Sequence, residues 1–293
     1  MLKKRTTSDI IFDTINTVLL LIITFACFYP IIHIVMASLS SPNELMAHSG
    51  LLFWPLNANL ESYVAAFKHP RILPSYLNTL FIVVSGVCVN LVLTTIGAYF
   101  LSRKNVLFKN AVMIMIIITM YFSGGLVPIY LTVKGLGMLD TYWALIIPGA
   151  INTFNLIMMR TYFMSLPDSL EESARLDGAG HLTILTRIIL PVSGPIVAVI
   201  TLYYAVGHWN SWFNAMIYLK DSDKFPLQLV LREILINNDM NNMTSGVQTV
   251  DKEPLGETIK YAIIVIATVP ILLIYPFLQK YFVKGVMVGA LKG

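Results

Sequence analysis

The chain has 293 residues, of which 56% are hydrophobic and only 12% are charged, and its formal net charge at pH 7 is +4. Soluble domains carry about 25% charged residues, so this chain has too little polar surface to coat a water-soluble globule. The composition therefore excludes a soluble enzyme, a disordered chain and a coiled coil, and it predicts an integral membrane protein.

Stretches without Asp, Glu, Lys or Arg predict the transmembrane segments. A spanning helix needs about 20 mostly apolar residues, and six uncharged runs reach 19 residues or more. None of these runs alternates apolar and polar residues as the strands of a membrane β-barrel do. We therefore expect one all-α integral membrane domain over 1–293 with six transmembrane helices, which span about 14–38, 76–101, 110–132, 141–160, 191–218 and 261–281.

The distribution of Lys and Arg predicts the orientation of the chain. If the N-terminus is inside, the inside segments carry twelve Lys and Arg residues and the outside segments carry eight, five of them in one long loop with seven acids. We therefore expect both termini in the cytoplasm, with 38–76 and 219–260 outside a plasma membrane. The N-terminal basic residues could also begin a signal peptide, but the apolar run that follows is too long for one, which favours an uncleaved first helix.

Glycine and neutral polar residues distinguish the predicted helices from one another. Gly124 and Gly125 precede Pro128, so we expect the third helix to break there. The polar residues in or beside the spans are neutral: Asn16, His33, Asn78, Asn90, Asn152, Asn155, His208, Asn210 and Asn214. Ion-coupled carriers usually place an ionisable group inside the bundle, so the lack of a central Asp, Glu, Lys or Arg argues against a self-powered carrier.

The sequence has no motif for catalysis, metal binding or nucleotide binding. Cys27 and Cys88 lie in apolar runs, which indicates neither a disulfide framework nor a zinc site. The phosphate-cradling pattern G-x4-G-K-[ST] is absent, as are H-E-x-x-H and G-x-S-x-G. We therefore expect no enzyme activity, no metal and no cofactor in this chain, and no nucleic-acid partner.

The segment 161–191, between the fourth and fifth predicted helices, has the pattern of a short soluble helix. Two S-x-x-[DE] capping patterns stand at its start, Ser165 with Asp168 and Ser169 with Glu172. Pro167 suits a first helical turn, Glu171 and Arg175 form a favourable i,i+4 pair, and Gly178 is placed to end the helix. The sequence thus predicts a capped helix over about 166–177 on the cytoplasmic face, either a docking element for a partner or a surface helix without one.

The same segment resembles the EAA motif of bacterial ABC importers, E-A-A-x3-G-x9-I-x-L-P, which marks their membrane subunits. The matching positions are Glu172, Ser173, Ala174, Gly178, Ile188, Leu190 and Pro191. Ser173 departs from the usual Ala by a small-for-small exchange. Asp177 beside Gly178 resembles the version found in carbohydrate importers, in which D-G-A occurs.

The resemblance extends over most of the chain. The stretch GHWNSWFNAMIYL at 207–219 looks like the fifth helix of sugar permeases, and KGVMVGALKG at 284–293 is similar to the tail of maltose-permease-G-like subunits. The stretches GGLVPIYL and TYWALIIPGAINTFNLIMMRTYF look most like permeases for oligosaccharides derived from polysaccharides.

This resemblance implies a type I ABC importer transmembrane fold and a set of partners. They are a second permease subunit in a heterodimer, two cytoplasmic ATPases that bind ATP and Mg, an extracellular solute-binding lipoprotein and an oligosaccharide. The EAA helix would couple the bundle to an ATPase, Glu172 offering a carboxylate and the small Ser173 and Ala174 permitting close approach. The residues implied in coupling are Glu171, Glu172, Ser173, Ala174, Arg175, Asp177, Gly178, Ile188, Leu190 and Pro191.

Sugar contact is predicted for the 207–219 stretch, because aromatic faces stack on sugar rings and amides bond hydroxyl groups. The candidates are Trp209, Asn210, Trp212, Phe213 and Asn214. The alternative is an aromatic cluster in the bundle core or at the membrane interface. The loop 219–260 is either a receptor-docking element or a plain excursion, and the tail with Lys284 and Lys292 either reaches the ATPases or lies on the membrane surface.

Two other functions stay open at this point. An ABC permease for a non-sugar solute has the same EAA loop, although the D-G-A extension and the 207–219 stretch favour sugar. A self-powered carrier would give no reason for the capped EAA helix.

Overall fold

The computed structural model describes residues 7–237, 258–273 and 276, and these residues form helices and connecting loops with no strand among them. They divide into two compact units, one of 7–70 with 233–237 and 258–268, and one of 71–232 with 269–273. The tail 284–293, Lys284 and Lys292 within it, lies outside the described residues, as does 238–257 in the predicted outer loop.

The first unit is built on a long apolar helix. Its helices before residue 70 are α1 (Thr7–Ser38), α2 (Pro42–Ala47) and α3 (Glu61–Lys68). At 1.5 Å per residue, the 32 residues of α1 extend about 48 Å, and only Ala37 and Ser38 of this helix are buried. Three threonine hydroxyls on α1 donate to the carbonyl four residues earlier at 2.7 Å, which satisfies their donors on an apolar surface.

The second unit has α4 at its centre. Its helices are α4 (Ile72–Ser102), α5 (Lys109–Tyr121), α6 (Leu126–Gly135), α7 (Trp143–Ile146), α8 (Thr153–Ser165), α9 (Asp168–Leu176), α10 (His181–Ile184), α11 (Leu190–Val192), α12 (Gly194–Trp209) and α13 (Phe213–Tyr218), and α14 (Leu227–Asn237) begins in it. A π-helical turn over Leu185–Ile189 links α10 to α11. Helices α4, α8 and α12 pack against one another. The Leu156 side chain of α8 packs closely on α4 at Gly97, where an added Cβ would lie 3.2 Å from its Cδ1, in keeping with the frequent use of small residues between membrane helices.

Three of the predicted spans are interrupted. In the third, α5 and α6 are bent by 115° around Gly125, whose φ of +84° suits glycine; this confirms the predicted break. In the fourth, residues 147–152 separate α7 from α8 and contain Pro148, which has no N–H to donate. In the fifth, the segment His181–Val192 meets α12 at 87°, and α12 ends at Trp209 rather than continuing to 218.

Six continuous spanning helices are therefore not what the described residues contain. Within the part of the chain that the structure describes, α1 and α4 alone are long and apolar enough to cross a membrane, and two bent pairs qualify if each pair is one span. Helix α15 (Thr258–Leu273), in the sixth predicted span, is shorter over the described residues. An uncharged run indicates what lipid can solvate, but proline and glycine decide whether the helix within it is continuous.

The predicted loop that begins at residue 219 has its own structure near its start. A 3₁₀ turn covers Ser222–Lys224, and α14 follows it. The Asp140 carboxylate accepts hydrogen bonds from the Lys220 and Asp221 N–H groups at 3.0 and 3.1 Å and from Lys224 Nζ at 3.0 Å. These three donors hold the pKa of Asp140 down at about 2. The carboxylate thus joins the loop before α7 to the segment after α13.

Candidate functional sites: a capped helix and a polar groove

Helix α9 begins differently from the prediction. The prediction that Ser165 or Ser169 caps it is wrong, because Pro167 stands at the N-cap and no side chain bonds the free N–H groups there. The Ser165 hydroxyl instead donates to the Tyr162 carbonyl at 2.7 Å, within the last turn of α8. Asp168 and Glu171 lie in the first turn of α9, where their negative charges stabilise the helix by interacting with the positive end of its dipole.

The end of α9 confirms the predicted role of Gly178. Its φ is +80°, a left-handed conformation that glycine adopts without a Cβ penalty. The Gly178 N–H donates to the Arg175 carbonyl at 3.0 Å, and the Ala179 N–H donates to the Ala174 carbonyl at 2.9 Å. This pair of bonds is a Schellman motif, and it turns the chain sharply towards α10.

Glu171 fixes α9 to the rest of the second unit. Its carboxylate accepts from Arg175 at 2.6 and 3.2 Å, which confirms the predicted i,i+4 pair, and it also accepts from Arg103 directly after α4. Burial acts to raise the pKa of Glu171, but hydrogen bonds and charge from Arg175 and Arg103 outweigh it, so that the pKa is lowered and the carboxylate stays ionised. Arg103 also donates to the Phe163 carbonyl at 3.3 Å.

A second ion pair runs parallel to the first. Lys104 Nζ lies 2.5 Å from the Asp168 carboxylate, and this hydrogen bond is the main reason that the pKa of Lys104 is raised. Because Lys104 and Asp168 are both exposed, the pair contributes little to stability by itself. Together with the Arg103 pair it places the first turn of α9 against the loop that follows α4.

The ten residues implied in coupling fall into three groups by exposure. Six are exposed: Glu172, Ser173, Arg175, Asp177, Gly178 and Pro191. Glu171, Ile188 and Leu190 are half-buried, and Ala174 is buried with 7% of its surface exposed. Ala174 packs in the core that includes Ile184 and Leu185, so its small size serves packing within the chain, and the close approach of a partner at this position stays a prediction.

Two exposed leucines near α9 were missed by the sequence reasoning. Leu176 is 89% exposed at the last residue of the helix, and Leu182 is 73% exposed just after the turn. The sequence could have indicated Leu176, because it is an apolar residue in a segment between two spans and the capping pattern already placed it in the last turn of a soluble helix. Leu176 lies on α9 with the exposed Glu172 and Ser173, so the exposed side of this helix has both apolar and acidic character.

The second candidate site is an open polar groove of about 450 Å³. It lies within the second unit, between α4, α8, α12 and the interruption at 147–152. The lining residues are Asn90, Leu145, Gly149, Asn152, Phe154, Asn155, Tyr203, Tyr204, Gly207, His208, Ser211 and Asn214.

The interruption of the fourth span creates this groove, and neighbouring helices satisfy the backbone groups it frees. The Gly149 carbonyl accepts from the Asn90 amide of α4 at 3.1 Å. The Asn152 N–H donates to the Tyr204 hydroxyl of α12 at 3.0 Å, and that hydroxyl also bonds Thr94 at 2.7 Å. Since unpaired backbone groups are costly in a membrane, these side chains make the break a stable feature.

His208 closes one side of the groove against α4. Its Nε2 lies 3.2 Å from the Asn90 side-chain oxygen. Gly86 leaves room for the ring, because a Cβ at this position would lie 2.5 Å from the same Nε2. The groove wall therefore depends on one glycine and one buried amide of α4.

Of the five predicted sugar-contact residues, only Asn214 lines the groove. Trp209 is buried and packs edge to face on Tyr76, with ring centroids 5.7 Å apart. Trp212 lies under the Arg232 guanidinium at 4.0 Å. Phe213 packs against Trp212 at 5.5 Å, and Asn210 is exposed at the end of α12. Trp209 and Trp212 thus pack against other side chains, as the alternative interpretation of an aromatic cluster expects.

The sequence did carry a signal for the groove residues that were missed. Asn90, Asn152, Asn155 and His208 stood out as neutral polar residues inside apolar runs. From the sequence, their neutrality served only to argue against a self-powered carrier. Polar side chains in a membrane bundle usually face its interior or a cavity, and that rule alone points to these four.

Comparison with known proteins adds sequence and structural relatives. The profile of the family "Binding-protein-dependent transport system inner membrane component" matches residues 59–288. The chain is 42% identical, over 97% of its length and 99% of the relative, to the polygalacturonan/rhamnogalacturonan transport system permease protein YtcP of Bacillus subtilis. It is 26% identical, over 99% of its length and all of the relative, to the arabinooligosaccharides transport system permease protein AraQ of Halalkalibacterium halodurans.

A solved structure is similar over nearly the whole chain. It belongs to a bacterial ABC transporter involved in the import of the acidic polysaccharide alginate. The similarity has a TM-score of 0.90 at 35% identity and covers 96% of this chain and 99% of that one.

Proposed function

The chain belongs to the family of binding-protein-dependent transport system inner membrane components, and from this premise we infer that it is the permease subunit of an ATP-driven importer of oligosaccharides. The observation that carries the function is the 42% identity to a polysaccharide-fragment permease over 97% of the chain. The relatives are transport components, so this chain is a transport subunit and not an enzyme.

Membership in this family also implies partners. A second permease subunit completes the pathway, two ATPases bind ATP and Mg, and a solute-binding lipoprotein delivers the sugar. The family match supports this assembly, and the lack of a phosphate-binding loop in the sequence supports placing ATP hydrolysis in separate chains.

The proposed topology has six spans with both termini in the cytoplasm of a bacterial inner membrane. Broken spans fit this count, because lipid tolerates an interrupted helix wherever neighbouring helices satisfy its backbone. The bonds from Asn90 and Tyr204 at the fourth span are of this kind. In this topology 161–191 is cytoplasmic, 219–260 is extracellular, and the tail 284–293 reaches the ATPase side.

Helix α9 is the proposed coupling element. Its exposed residues Glu172, Ser173 and Leu176 face away from the chain's own core, which suits an acidic and apolar docking surface. The buried Ala174 and the paired Glu171 fix the helix to its own bundle. A movement of the bound ATPase would therefore reach α4 and α8 through rigid contacts rather than through a loose loop.

Cysteine cross-linking tests the docking and the orientation together. In a chain with Cys27 and Cys88, both exposed thiols, replaced by serine, Ser173→Cys is expected to cross-link to the co-purified ATPase with a short bismaleimide. Ser49→Cys is the matched control, since it is an exposed serine in the segment proposed to lie outside. Cross-linking at residue 49, or none at 173 in an intact complex, would contradict the proposal.

A further inference from the structure

The polar groove contains an asparagine whose side-chain amide makes no hydrogen bond to any described residue. Asn155 lines the groove and is only 4% exposed. Its backbone N–H bonds the Asn152 side chain at 3.1 Å, but its own side-chain amide makes no hydrogen bond to any described residue. Among the described residues, the fully buried polar side-chain atoms without a partner are Ser62 Oγ and Ser193 Oγ. The Asn155 amide is therefore accessible from the groove and can bond a ligand there.

Two further groove residues also offer polar groups to a ligand, Asn214 being exposed and Ser211 half-buried. The Asn214 amide and the Ser211 hydroxyl also make no hydrogen bond within the described chain. The three side chains come from α8, from α13 and from the link between α12 and α13, so the fold brings them together from separate elements. An amide offers both donors and an acceptor, which is the set needed to bond hydroxyl groups of a ligand.

The aromatic lining complements these polar groups. Phe154 and Tyr203 lie with ring centroids 6.3 Å apart at an interplanar angle of 50°, and both line the groove. Their faces suit the C–H surface of a sugar ring, and the groove volume of about 450 Å³ lies within the about 300–1,000 Å³ of small-ligand sites.

The charge of the lining restricts the ligand further. Among the described residues that line the groove there is no Asp, Glu, Lys or Arg. A carboxylate brought there would lose hydration without meeting a cation, which is costly. Hydroxyl groups lose far less hydration free energy than a carboxylate does, and the amides of the groove can bond them.

We propose that this groove binds an uncharged saccharide unit of the transported chain, with Asn155, Asn214 and Ser211 bonding its hydroxyl groups. The proposal rests on the proposed function and deepens it by naming the site and the ligand's charge. Acidic units of a transported polysaccharide fragment are then bound elsewhere in the importer, outside this groove.

Saturation-transfer NMR on the complete, nucleotide-free importer in nanodiscs tests the proposal. The probes are a mixture of neutral di- to tetrasaccharides from starch, arabinan and galactan, and a mixture of oligogalacturonates of the same lengths. The neutral mixture is expected to show saturation transfer with the wild type. This signal should fall about tenfold with Asn155→Leu and with Asn214→Leu, because each substitution removes one or two hydrogen bonds. Asn110→Leu is the matched control, because Asn110 is exposed on α5 away from the groove.

Two readouts separate a failed site from a failed importer. Receptor-stimulated ATPase activity is measured on each preparation, and the milder Ser211→Ala, expected to lower the neutral signal severalfold, guards against misfolding of the leucine variants. No neutral binding to the wild type, or equal binding by all variants, overturns the proposal while retained ATPase stimulation leaves the proposed function standing. An oligogalacturonate signal that depends on Asn155 as strongly as the neutral signal overturns the assignment of charge.

Discussion

Glu171 and Glu172 are adjacent carboxylates in different surroundings. The Glu171 side chain is 14% exposed and lies between two arginines, whereas Glu172 is exposed. The sequence already paired Glu171 with Arg175 and placed Glu172 in the EAA motif, but it gave no sign of the second partner of Glu171, Arg103. Their environments indicate that Glu171 holds α9 in place and that Glu172 is available to a partner.

Alanine substitutions at the two positions are therefore expected to act differently. Glu171→Ala leaves the donors of Arg103 and Arg175 without their acceptor and should lower the free energy of unfolding by about 1–3 kcal/mol. Glu172→Ala should leave unfolding unchanged and reduce ATP-driven uptake at normal expression. Thermal unfolding in detergent and uptake in proteoliposomes measure the two effects. Equal destabilisation by both substitutions would contradict the division of roles.

Asp140 makes stability depend on acidic pH. Its pKa in the folded chain is about 2, below the ordinary value of 3.8, so its contribution is complete above about pH 4 and is lost as the pH falls through 2. Lys224, whose pKa is raised chiefly by the hydrogen bond to Asp140, contributes below its ordinary pKa and loses that contribution only in strong alkali.

Asp140→Asn tests this dependence, because asparagine tolerates the left-handed backbone at this position, where φ is +60°. The melting temperature is expected to fall relative to the wild type at pH 5–8, and the difference should shrink as the pH approaches 2. Asp223→Asn, a neighbouring exposed acid, should show a small difference at every pH. A difference for Asp140→Asn that persists unchanged at pH 2 would refute the role of its charge.

At the scale of elements, the turn after α9 depends on one glycine. Gly178→Ala meets no neighbouring atom within 4 Å, so its cost comes only from the left-handed backbone at φ +80° and should be about 1–2 kcal/mol. Because this turn sets the angle between α9 and α10, uptake should fall more than stability. Gly180→Ala is the matched control, with φ −77° and equally open surroundings, and uptake measured on both variants should fall for Gly178 alone.

The contact of α4 with α12 depends on another glycine. Gly86→Ala would place a Cβ 2.5 Å from His208 Nε2, so the ring must move and lose its bond to Asn90. We expect a loss of about 1–3 kcal/mol, measured by thermal unfolding, together with reduced uptake. Gly97→Ala, where the nearest atom is a mobile Leu156 methyl at 3.2 Å, should cost less; the opposite order would contradict the proposed packing.

Local rules predicted some of these elements well and others poorly. The Glu171–Arg175 pair, the end of α9 at Gly178 and the break at Gly125 each depend on residues within a few positions of one another. Ser165 was misassigned because α8 extends to it and uses its hydroxyl. What stabilises the break at 147–152 could not be predicted, since it depends on Asn90 and Tyr204, which are more than 50 residues away along the chain.

At the scale of the whole molecule, the sequence predicted class and function better than the binding groove. The scarcity of charge indicated a membrane protein, and the EAA pattern indicated an importer subunit. Polar residues inside apolar runs gave a signal for the groove, but which residues of the 207–219 stretch face it could not be derived, because neighbouring positions on a helix point about 100° apart. Thus Trp209 packs on Tyr76 while His208 lines the cavity.

The central claim is that this chain imports oligosaccharides only as the permease of an ATP-driven assembly. Uptake of radiolabelled oligosaccharide into proteoliposomes that contain the chain, its second permease, the ATPase and the receptor tests it most directly. We expect uptake that requires both ATP and receptor, and no ATP hydrolysis by the purified chain alone. Uptake driven by an ion gradient without ATP, or ATP turnover by the chain alone, would contradict it.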